Sequence, residues 1–366
     1  MTCQGVFRLR GVALAVGGCG GEPLAFGGRP RGGLPARRRG QTIAAQRFGR
    51  RQVATLGAMF GAGAVDTFMG LPRCRDLART QAAMVLIGAD GCTPYPSVGF
   101  YCAGGPAAIR AAAAAYAAGL GHMHFDLGGP VFPGAVSAAD AGDLPQDVAD
   151  PAGNRARIFG AVNQLLDRGA VPILIGGDDS LPIPMLEAYG ARGKTYTVLQ
   201  IDAHIDWRDE VDGERMGLSS TMRRASEMAH IGRIVQVGQR GTGSARLTDV
   251  QDALDWGVSL VPAGEVARVG VGRAVDLVAE GAEVIICLDL DALDPAVMPA
   301  VIARTAGGLG YWQVLELIAG VAEKARIAGF DMVEFMPGRD VDGQGAAVAA
   351  QLLAGVLGII ARQPAG

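Results

Sequence analysis

The sequence predicts an α/β fold, with eight parallel strands and intervening helices in one doubly wound domain. From Met84 onward, short apolar segments alternate with segments of helical periodicity, as a parallel sheet with crossover helices requires. Three of the apolar segments run directly into acidic residues, and ligand sites in open parallel sheets lie beyond the carboxyl ends of strands. No linker or repeat divides this region, so we expect a single domain.

The predicted elements follow one another in regular order. Apolar runs between turn residues predict strands at 84–88, 123–127, 173–175, 197–201, 234–237, 258–261, 284–288 and 331–335. Apolar residues at helical spacing, with Pro106 suited to the first turn of the first helix, predict helices at 105–118, 154–168, 184–189, 219–228, 245–254, 265–279, 311–327 and 346–360.

Composition argues against several classes of protein. Hydrophobic residues make up 49% of the 366, enough for a large core, and no apolar run reaches the length of a membrane span. The net charge of −3 gives no reason to expect nucleic acid or an anionic membrane as a partner. The six cysteines show no CxxC spacing, which predicts reduced thiols and a cytoplasmic protein.

Residues 1–58 differ from the rest of the chain because they are rich in Gly and Arg and lack sustained periodicity. We expect a disordered N-terminal extension, or sequence translated from a start assigned too early, with Met59 as the alternative start. A targeting segment is the remaining possibility, although the segment lacks the apolar core of a signal peptide. Residues 59–366 are then the single functional domain.

Acidic residues cluster at three predicted strand ends. Residues 287–295 read CLDLDALDP, and Asp289 and Asp291 share a face because side chains alternate along a strand. Residues 198–206 read VLQIDAHID and place Asp202, His204 and Asp206 on one face in the same way. Residues 173–180 read ILIGGDDS. Neighbouring buried carboxylates repel one another unless a cation lies between them, so the pattern predicts a metal site.

The type of ligand indicates the chemistry. A set of carboxylates with a single imidazole suits Mn²⁺ or a similar divalent ion better than a thiolate-binding metal. Two such ions would lower the pKa of a bridging water toward neutrality. The predicted reaction class is therefore metal-assisted hydrolysis at an electrophilic carbon or phosphorus centre.

The motifs resemble those of the ureohydrolase family, which includes arginase, agmatinase and guanidino-acid hydrolases. The resemblance covers about residues 64–362, and its motifs are GGDDS at 176–180, DAHID at 202–206, DLDALDP at 289–295 and EFMP at 334–337. It implies a three-layer α/β/α sandwich of the arginase/deacetylase type and a binuclear Mn²⁺ centre, with Ni²⁺ in some members. It also implies hydrolysis of a guanidinium group to urea, or a substituted urea, and an amine, by trimers or hexamers.

By this resemblance, five residues fall at metal-ligand positions. Asp202 and Asp289 match the bridging carboxylates. His204 and Asp291 would bind one ion, and Asp206 would bind the other and accept a hydrogen bond from the bridging hydroxide.

The resemblance also implies the residues around the substrate. Glu334 falls where the family has a carboxylate near the substrate guanidinium, so Glu334 and Asp206 are the candidate catalytic residues. Tyr95, in the loop 88–106, is a candidate substrate-binding residue on a partly apolar rim, with simple loop packing as the alternative. The acidic site favours a small cationic guanidino substrate.

Two positions depart from the family pattern. The family has GGDHS where this chain has Asp179, which would make five aspartates around two ions. Three outcomes are open: Asp179 is a hard oxygen ligand, the first metal position is weak or empty, or Asp179 is protonated or paired elsewhere. Met216 stands where many members have a histidine before glycine, and methionine cannot exchange a proton at neutral pH.

Two functions remain open on these observations. The first is an agmatinase-like ureohydrolase that acts as a homo-oligomer. The second is a non-catalytic subunit with a degenerate metal centre that supports a homologous partner in a hetero-oligomer, as in metformin hydrolase. The retained motifs favour the first, and Asp179 and Met216 favour the second.

Overall fold

The computed structural model describes residues 65–243 and 245–363. The predicted N-terminal extension, residues 1–58, lies outside the described residues, so its nature stays a prediction. The four cysteines within the described ranges, Cys74, Cys92, Cys102 and Cys287, form no disulfide with one another.

The described residues form one eight-stranded sheet in which every pair of neighbouring strands is parallel. The strands are β1 (Met84–Gly88), β2 (Ala138–Asp143), β3 (Val171–Ile175), β4 (Tyr196–Ile201), β5 (Ile231–Val237), β6 (Ser259–Val261), β7 (Glu283–Asp289) and β8 (Arg326–Val333). Their order across the sheet is β2-β1-β3-β8-β7-β4-β5-β6. The predicted parallel α/β sheet is confirmed.

Helices connect the strands and cover both faces of the sheet. The α-helices are α1 (Gly105–Ala113), α2 (Pro151–Asp167), α3 (Pro182–Ala188), α4 (Thr221–Ser226), α5 (Leu247–Trp256), α6 (Ala263–Val269), α7 (Gly272–Asp276), α8 (Tyr311–Lys324) and α9 (Gln344–Ile360). Short 3₁₀ helices are Phe68–Gly70, Leu77–Arg79, Ala114–Gly119, Tyr189–Arg192, Leu218–Ser220, Leu290–Ala292 and Pro337–Arg339.

Two hydrophobic cores give the structure its three layers. On one face, buried side chains of α1, α6, α7, α8 and α9 pack against alternate strand residues such as Leu199 and Ile286. On the other face, α2, α3, α4 and α5 pack against the intervening strand residues, including Val198 and Ile285. Because both faces are covered, the inner strands of the sheet are mostly apolar, which explains the apolar runs in the sequence.

The four loops that carry the acidic motifs leave the sheet side by side. Strands β3, β8, β7 and β4 are consecutive in the sheet, and the residue pairs Ile175–Met332 and Ile201–Leu288 lie in register near their carboxyl ends. The loops that follow these strands carry residues 176–180, 334, 289–291 and 202–206. Parallel pairing therefore brings motifs that are far apart in sequence to one edge of the sheet.

The prediction of a strand at 123–127 is wrong. These residues form turns, and Phe125 is 89% exposed. The edge position of the sheet is taken instead by β2, whose sequence AADAGD has no strand-like apolar run. Its Asp140 is completely buried and receives a bidentate ion pair from Arg110 of α1, with nitrogen–oxygen distances of 2.8 and 3.0 Å. An arginine 30 residues upstream thus compensates the buried acid.

Other element boundaries differ in ways that have local causes. The predicted helix at 265–279 is two helices, α6 and α7, because Gly270 between them adopts a φ of 77°. The predicted helix at 311–327 ends at Lys324, where the chain enters β8. Strand β8 begins five residues before its predicted start and ends at Val333, because Glu334 turns the chain with a φ of 68°.

Candidate metal centre

A glycine turn after β3 brings Asp179 to the carboxyl edge of the sheet. Gly176 and Gly177 have φ values of 91° and 69°. A Cβ at Gly176 would lie 2.3 Å from the ring of Pro106, and a Cβ at Gly177 would lie 2.5 Å from Leu181. The turn therefore needs glycine for both its conformation and its close packing.

Two groups of side chains are close enough to hold a metal ion each. The ligand atoms of Asp202, His204 and Asp291 lie within 4.8 Å of one another, and so do those of Asp179, Asp202 and Asp289. Asp202 belongs to both groups, so the two positions are adjacent and share a carboxylate. All four aspartates in these groups are buried.

His204 lies between two carboxylates. Its Nδ1 is 3.3 Å from Oδ1 of Asp202 and 3.1 Å from Oδ2 of Asp291. Burial by itself lowers the pKa of His204, but the two carboxylates more than offset it and raise the pKa to about 12. In the protein alone the imidazole is therefore a cation among acids. A metal ion held by these three residues would take the place of that proton.

Asp179 has no such compensation. Its Oδ2 is buried without a hydrogen-bond partner, and no lysine or arginine within residues 65–243 and 245–363 pairs with it. Burial, followed by the charges of Asp206 and Asp202, raises the pKa of Asp179 well above its ordinary value. An unpaired buried carboxylate that faces other carboxylates is the arrangement that a divalent cation stabilises.

Asp206 lies next to these groups without belonging to either of them. Gln200 donates one hydrogen bond to Oδ2 of Asp206 at 2.6 Å and another to Oδ2 of Asp202 at 2.7 Å. Asp206 adopts a φ of 44°, which aspartate tolerates at a cost. Its backbone oxygen is held by the amides of Met222 and Arg223 at the start of α4. The amide of Gln200 thus fixes two predicted site carboxylates relative to each other.

Within the described structure, Glu334 accepts hydrogen bonds through one oxygen of its carboxylate. Oε1 accepts hydrogen bonds from the Tyr101 hydroxyl and from the Asp179 amide at 3.0 Å. Among the described residues, Oε2 receives no hydrogen bond and is available to a ligand. Burial raises the pKa of Glu334 to about 8, while the Tyr101 hydrogen bond opposes the rise.

These side chains line one cleft with a volume of about 200 Å³. Its acidic wall contains Asp179, Asp206, Asp289, Asp291 and Glu334, together with His204. The rest of its lining includes Trp207, Arg208, Leu218, Ser219, Asp249 and Ile302.

Tyr95 does not line the cleft directly. Its hydroxyl accepts a hydrogen bond from the amide of Ser219 at 3.2 Å, and its ring packs against Gly217, where a Cβ would lie 2.2 Å from the ring. It thus supports the segment that carries two lining residues, Leu218 and Ser219. A contact between Tyr95 and substrate stays a prediction.

Three residues around the site escaped the sequence analysis. Gln200 lies within β4, and nothing in an apolar strand pattern indicates its contacts with two acids. Arg208 lines the cleft two residues after DAHID, and a positive charge so close to an acidic motif was the feature of the sequence that could have indicated it. Arg240 donates hydrogen bonds to the carbonyls of Asp291, Leu293 and Thr305 at 2.7, 3.1 and 2.8 Å, and so fixes the loop after β7.

The residues at this site fit divalent cations. The donor set is four carboxylates and one imidazole in two groups that share Asp202, and one buried carboxylate oxygen has no partner in the described structure. Oxygen-rich sets of this kind suit Mn²⁺ and Mg²⁺, and a single imidazole also accommodates Ni²⁺.

Comparison with known proteins identifies the family. The model of the Arginase family matches residues 83–358. The chain belongs to the arginase family. Guanidino acid hydrolase, mitochondrial, from Homo sapiens is 29% identical over 357 residues, which cover 93% of this chain and 95% of the relative. Agmatinase, mitochondrial, from Gallus gallus is 30% identical over 299 residues, covering 79% and 84%.

Solved structures of similar proteins agree with this membership. Proclavaminate amidino hydrolase from Streptomyces clavuligerus has a TM-score of 0.69 and 29% identity, covering 82% of this chain and 98% of that structure. A hypothetical agmatinase from Burkholderia thailandensis has a TM-score of 0.70 and 25% identity, covering 82% and 92%. The three-layer fold that the resemblance implies is confirmed. Within the described residues, no helix combines the length and the apolar character needed to cross a bilayer.

Both departures from the arginase-family motifs lie close to the cleft. Asp179 is oriented toward Asp202 and Asp289, which excludes the possibility that it pairs with a basic residue in the described part of the chain. Met216 precedes the Gly217 that packs on Tyr95, and its amide donates a hydrogen bond to Oε1 of Glu214, in the same loop, at 2.7 Å. This arginase-family chain therefore keeps the cluster of candidate ligands but lacks an imidazole at these two positions.

Proposed function

We propose that this chain is an agmatinase-like, metal-dependent hydrolase of a guanidino C–N bond that releases urea, or a substituted urea, and an amine. The observation that carries the proposal is the shared carboxylate of Asp202 in two adjacent ligand groups, with Glu334 lining the same cleft. Membership of the arginase family supports it, as do similar proteins that are named agmatinase and guanidinobutyrase.

Asp202, His204 and Asp291 would hold one divalent ion, and Asp179, Asp202 and Asp289 the other, with Asp206 beside them. We propose Mn²⁺, with Ni²⁺ as the alternative, because the donor set is rich in oxygen. Such ions supply Lewis-acid polarisation and a lowered pKa for a water molecule when they are bound.

Glu334 orients the substrate in this proposal. Its Oε1 is occupied by the Tyr101 hydroxyl and the Asp179 amide, so Oε2 is left to accept an N–H of the guanidinium in a charge-assisted hydrogen bond.

Asp206 is the proposed proton carrier. Its Oδ2 is held by Gln200, and its carboxylate lines the cleft beside the ligand groups. One guanidinium and one water give one urea and one ammonium group. A water proton must therefore reach the departing nitrogen, and Asp206 is placed to hold it between the two events. This role matters more here because Met216 cannot exchange a proton.

The partners and the location follow from the same proposal. The substrate is a small guanidino compound with a cationic head, and neither nucleic acid nor a membrane is a partner. We propose a homo-oligomer, a trimer or hexamer, in the cytoplasm. Two relatives carry "mitochondrial" in their names, so fractionation of cells that express the chain would test the location.

Metal loading and urea release test the function together. The purified full chain is stripped with chelator, reloaded with Mn²⁺ or Ni²⁺, and analysed for bound metal by mass spectrometry and for urea released from a panel of guanidino compounds. We expect about two ions per chain and urea from at least one compound. Glu334→Gln should retain the metal and lose turnover, because it removes the negative charge and leaves the ligand groups intact. Two bound ions with no urea from any compound would contradict the proposal.

Asp179 and Met216 favour a second candidate function, that of a supporting subunit in a hetero-oligomer with a homologous ureohydrolase such as metformin hydrolase. In that case the chain alone would hold one ion or none, and urea release would require mixing with an active homologue. The same metal analysis, repeated on the mixture after gel filtration, separates the two functions. Co-elution with a rise in activity would support the second.

A further inference from the structure

The cleft carries one cationic side chain that nothing in the described structure neutralises. Arg208 lines the cleft and is partly exposed, and its guanidinium makes no ion pair or hydrogen bond to any described residue. Only its backbone is held, by a hydrogen bond from its amide to the carbonyl of Ser219 at 3.0 Å. The other basic group of the lining, His204, is already engaged by Asp202 and Asp291.

The charges on the lining are therefore of two kinds. The metal groups and Glu334 form an acidic wall that suits a cationic head, and Arg208 provides a positive charge for an anionic group. Trp207, the neighbour of Arg208, also lines the cleft, and its indole N–H is buried without an acceptor among the described residues. Of these two donors, only the guanidinium of Arg208 belongs to a partly exposed side chain, because the indole N–H of Trp207 is buried.

Asp249, the acid in the rest of the cleft lining, is less available to a ligand than Arg208. Asp249 is buried, and its Oδ2 accepts a hydrogen bond from the amide of Arg246 at 3.0 Å at the start of α5. A carboxylate that already caps a helix has less capacity for an ammonium tail. Outside the acidic wall, the lining thus favours an anionic tail over a cationic one.

The apolar residues and the volume of the cleft limit the spacer between the two ends of a ligand. Trp207, Leu218 and Ile302 contribute apolar surface to the cleft. Its volume of about 200 Å³ is below the roughly 300–1,000 Å³ of pockets that hold drug-sized ligands. A few methylene groups are the spacer that this surface and volume suit.

We propose that Arg208 binds the carboxylate of the substrate, so that this chain acts on short ω-guanidino acids in preference to guanidino compounds with a cationic or neutral tail. The inference rests on the proposed function, because it assigns the opposite end of the substrate to the same cleft. A guanidinium side chain and a carboxylate form a charge-assisted and potentially bidentate pair, which gives affinity and fixes the tail.

Three compounds with the same head test the proposal. They are 4-guanidinobutyrate, with an anionic tail, agmatine, with a cationic tail, and N-butylguanidine, with a neutral tail. We expect the kcat/KM of the wild-type chain to be highest for 4-guanidinobutyrate. Arg208→Gln should lower the ratio of kcat/KM between 4-guanidinobutyrate and N-butylguanidine by about tenfold or more, mainly through KM, as expected for a lost hydrogen bond to a charged group. Arg208→Lys should restore part of the preference.

The matched control is Arg215→Gln. Arg215 lies in the same loop region, is half exposed and pairs with Asp209 at 3.1 Å, but does not line the cleft. It should leave the ratio unchanged. Equal metal content and melting temperature of the variants would show that Arg208→Gln has not disturbed the fold. A ratio that Arg208→Gln does not change, or a wild-type preference for agmatine, would overturn the proposal.

A binding measurement separates this proposal from the proposed function. Calorimetry of the metal-loaded chain with 4-guanidinobutyrate and N-butylguanidine reports tail preference even when no turnover occurs. A preference for the acid that Arg208→Gln abolishes, without urea release, would uphold the assignment of Arg208 and contradict the hydrolase. Urea release without a charge preference would uphold the hydrolase and contradict the assignment.

Discussion

Replacing Asp179 with asparagine tests whether the acid cluster is built around a cation. Ligand atoms of Asp179, Asp202 and Asp289 all lie within 4.8 Å of one another. Two unit charges at 4.8 Å repel by about 3.5 kcal/mol at an effective dielectric constant of about 20. Ionised Asp179 faces two such charges, so roughly 7 kcal/mol of repulsion acts on it before the His204 cation beside Asp202 offsets part of this repulsion. Protonation of one acid limits the part of this cost that the protein retains without a cation.

We expect Asp179→Asn to raise the melting temperature in the presence of chelator. A net relief of about 1–2 kcal/mol would raise Tm by a few degrees in a chain of this size. In Mn²⁺ the wild-type protein should have the higher melting temperature, because the variant lacks a charged ligand and the metal stabilises it less. Scanning fluorimetry of both proteins across a Mn²⁺ titration, from excess chelator upward, measures both effects.

Asp178 provides a matched control on the adjacent residue. It is equally buried, but it accepts hydrogen bonds from the amides of Cys92 and Ser180, at 3.2 and 3.1 Å, and from the Ser180 hydroxyl. Asp178→Asn should therefore lower Tm in chelator and in Mn²⁺ alike. The reasoning is refuted if Asp179→Asn melts at or below the wild-type temperature in chelator while Mn²⁺ stabilises both proteins equally.

Three further predictions concern the surroundings of the site. Tyr101→Phe removes a donor to Glu334 and should lower kcat/KM by roughly 10- to 150-fold without changing metal content. Asp140→Asn removes the buried carboxylate partner of Arg110 and leaves it only the partly exposed Asp143, so it should cost about 3–5 kcal/mol in the free energy of unfolding, measured by denaturant titration. Burial raises the pKa of Asp331 to about 7, so the folded state holds its proton more tightly than the unfolded one and stability falls as pH rises from about 4 to 7. Asp331→Asn should reduce the Tm difference between pH 5 and pH 7.5.

Each of these has an outcome that would contradict it. Tyr101→Phe with full turnover would mean that the Asp179 amide alone positions Glu334. Asp143 also pairs with Arg110 but is 40% exposed, so Asp143→Asn should cost much less than Asp140→Asn, and equal costs would contradict the role of burial. An unchanged pH dependence in Asp331→Asn would assign the titration to another group.

The sequence predicted the central half of the sheet and the convergence of the acids on physical grounds that hold in the structure. Apolar runs that end in acid mark strands covered on both faces, and parallel strands place their carboxyl ends at one edge. For this reason Asp179, Asp202, Asp289 and Glu334, which are spread over more than 150 residues, line or adjoin one cleft. Their metal and catalytic roles stay predictions.

The edge of the sheet could not be predicted in this way. Strand β2 contains a completely buried acid, Asp140, and its stability depends on Arg110 in α1 and on the amide of Phe68 at 2.7 Å. These contacts join three segments that are remote in sequence, and no local pattern records them. The apolar segment 123–127 has a better strand pattern, but its side chains are mostly exposed. The pairing of the buried Asp140 with Arg110 thus decided which segment forms the edge strand, although segment 123–127 is the more apolar of the two.

The loop after β4 carries both candidate metal ligands and the residue proposed to bind the substrate tail. Asp202, His204 and Asp206 face the acid cluster, whereas Arg208 lines the same cleft without joining that cluster. Because the Arg208 side chain makes no contact that the metal groups require, a substitution there can change the preferred tail of the substrate and leave the ligands intact. Selectivity in this chain should therefore be sought in the charge at Arg208 rather than in the ligand cluster.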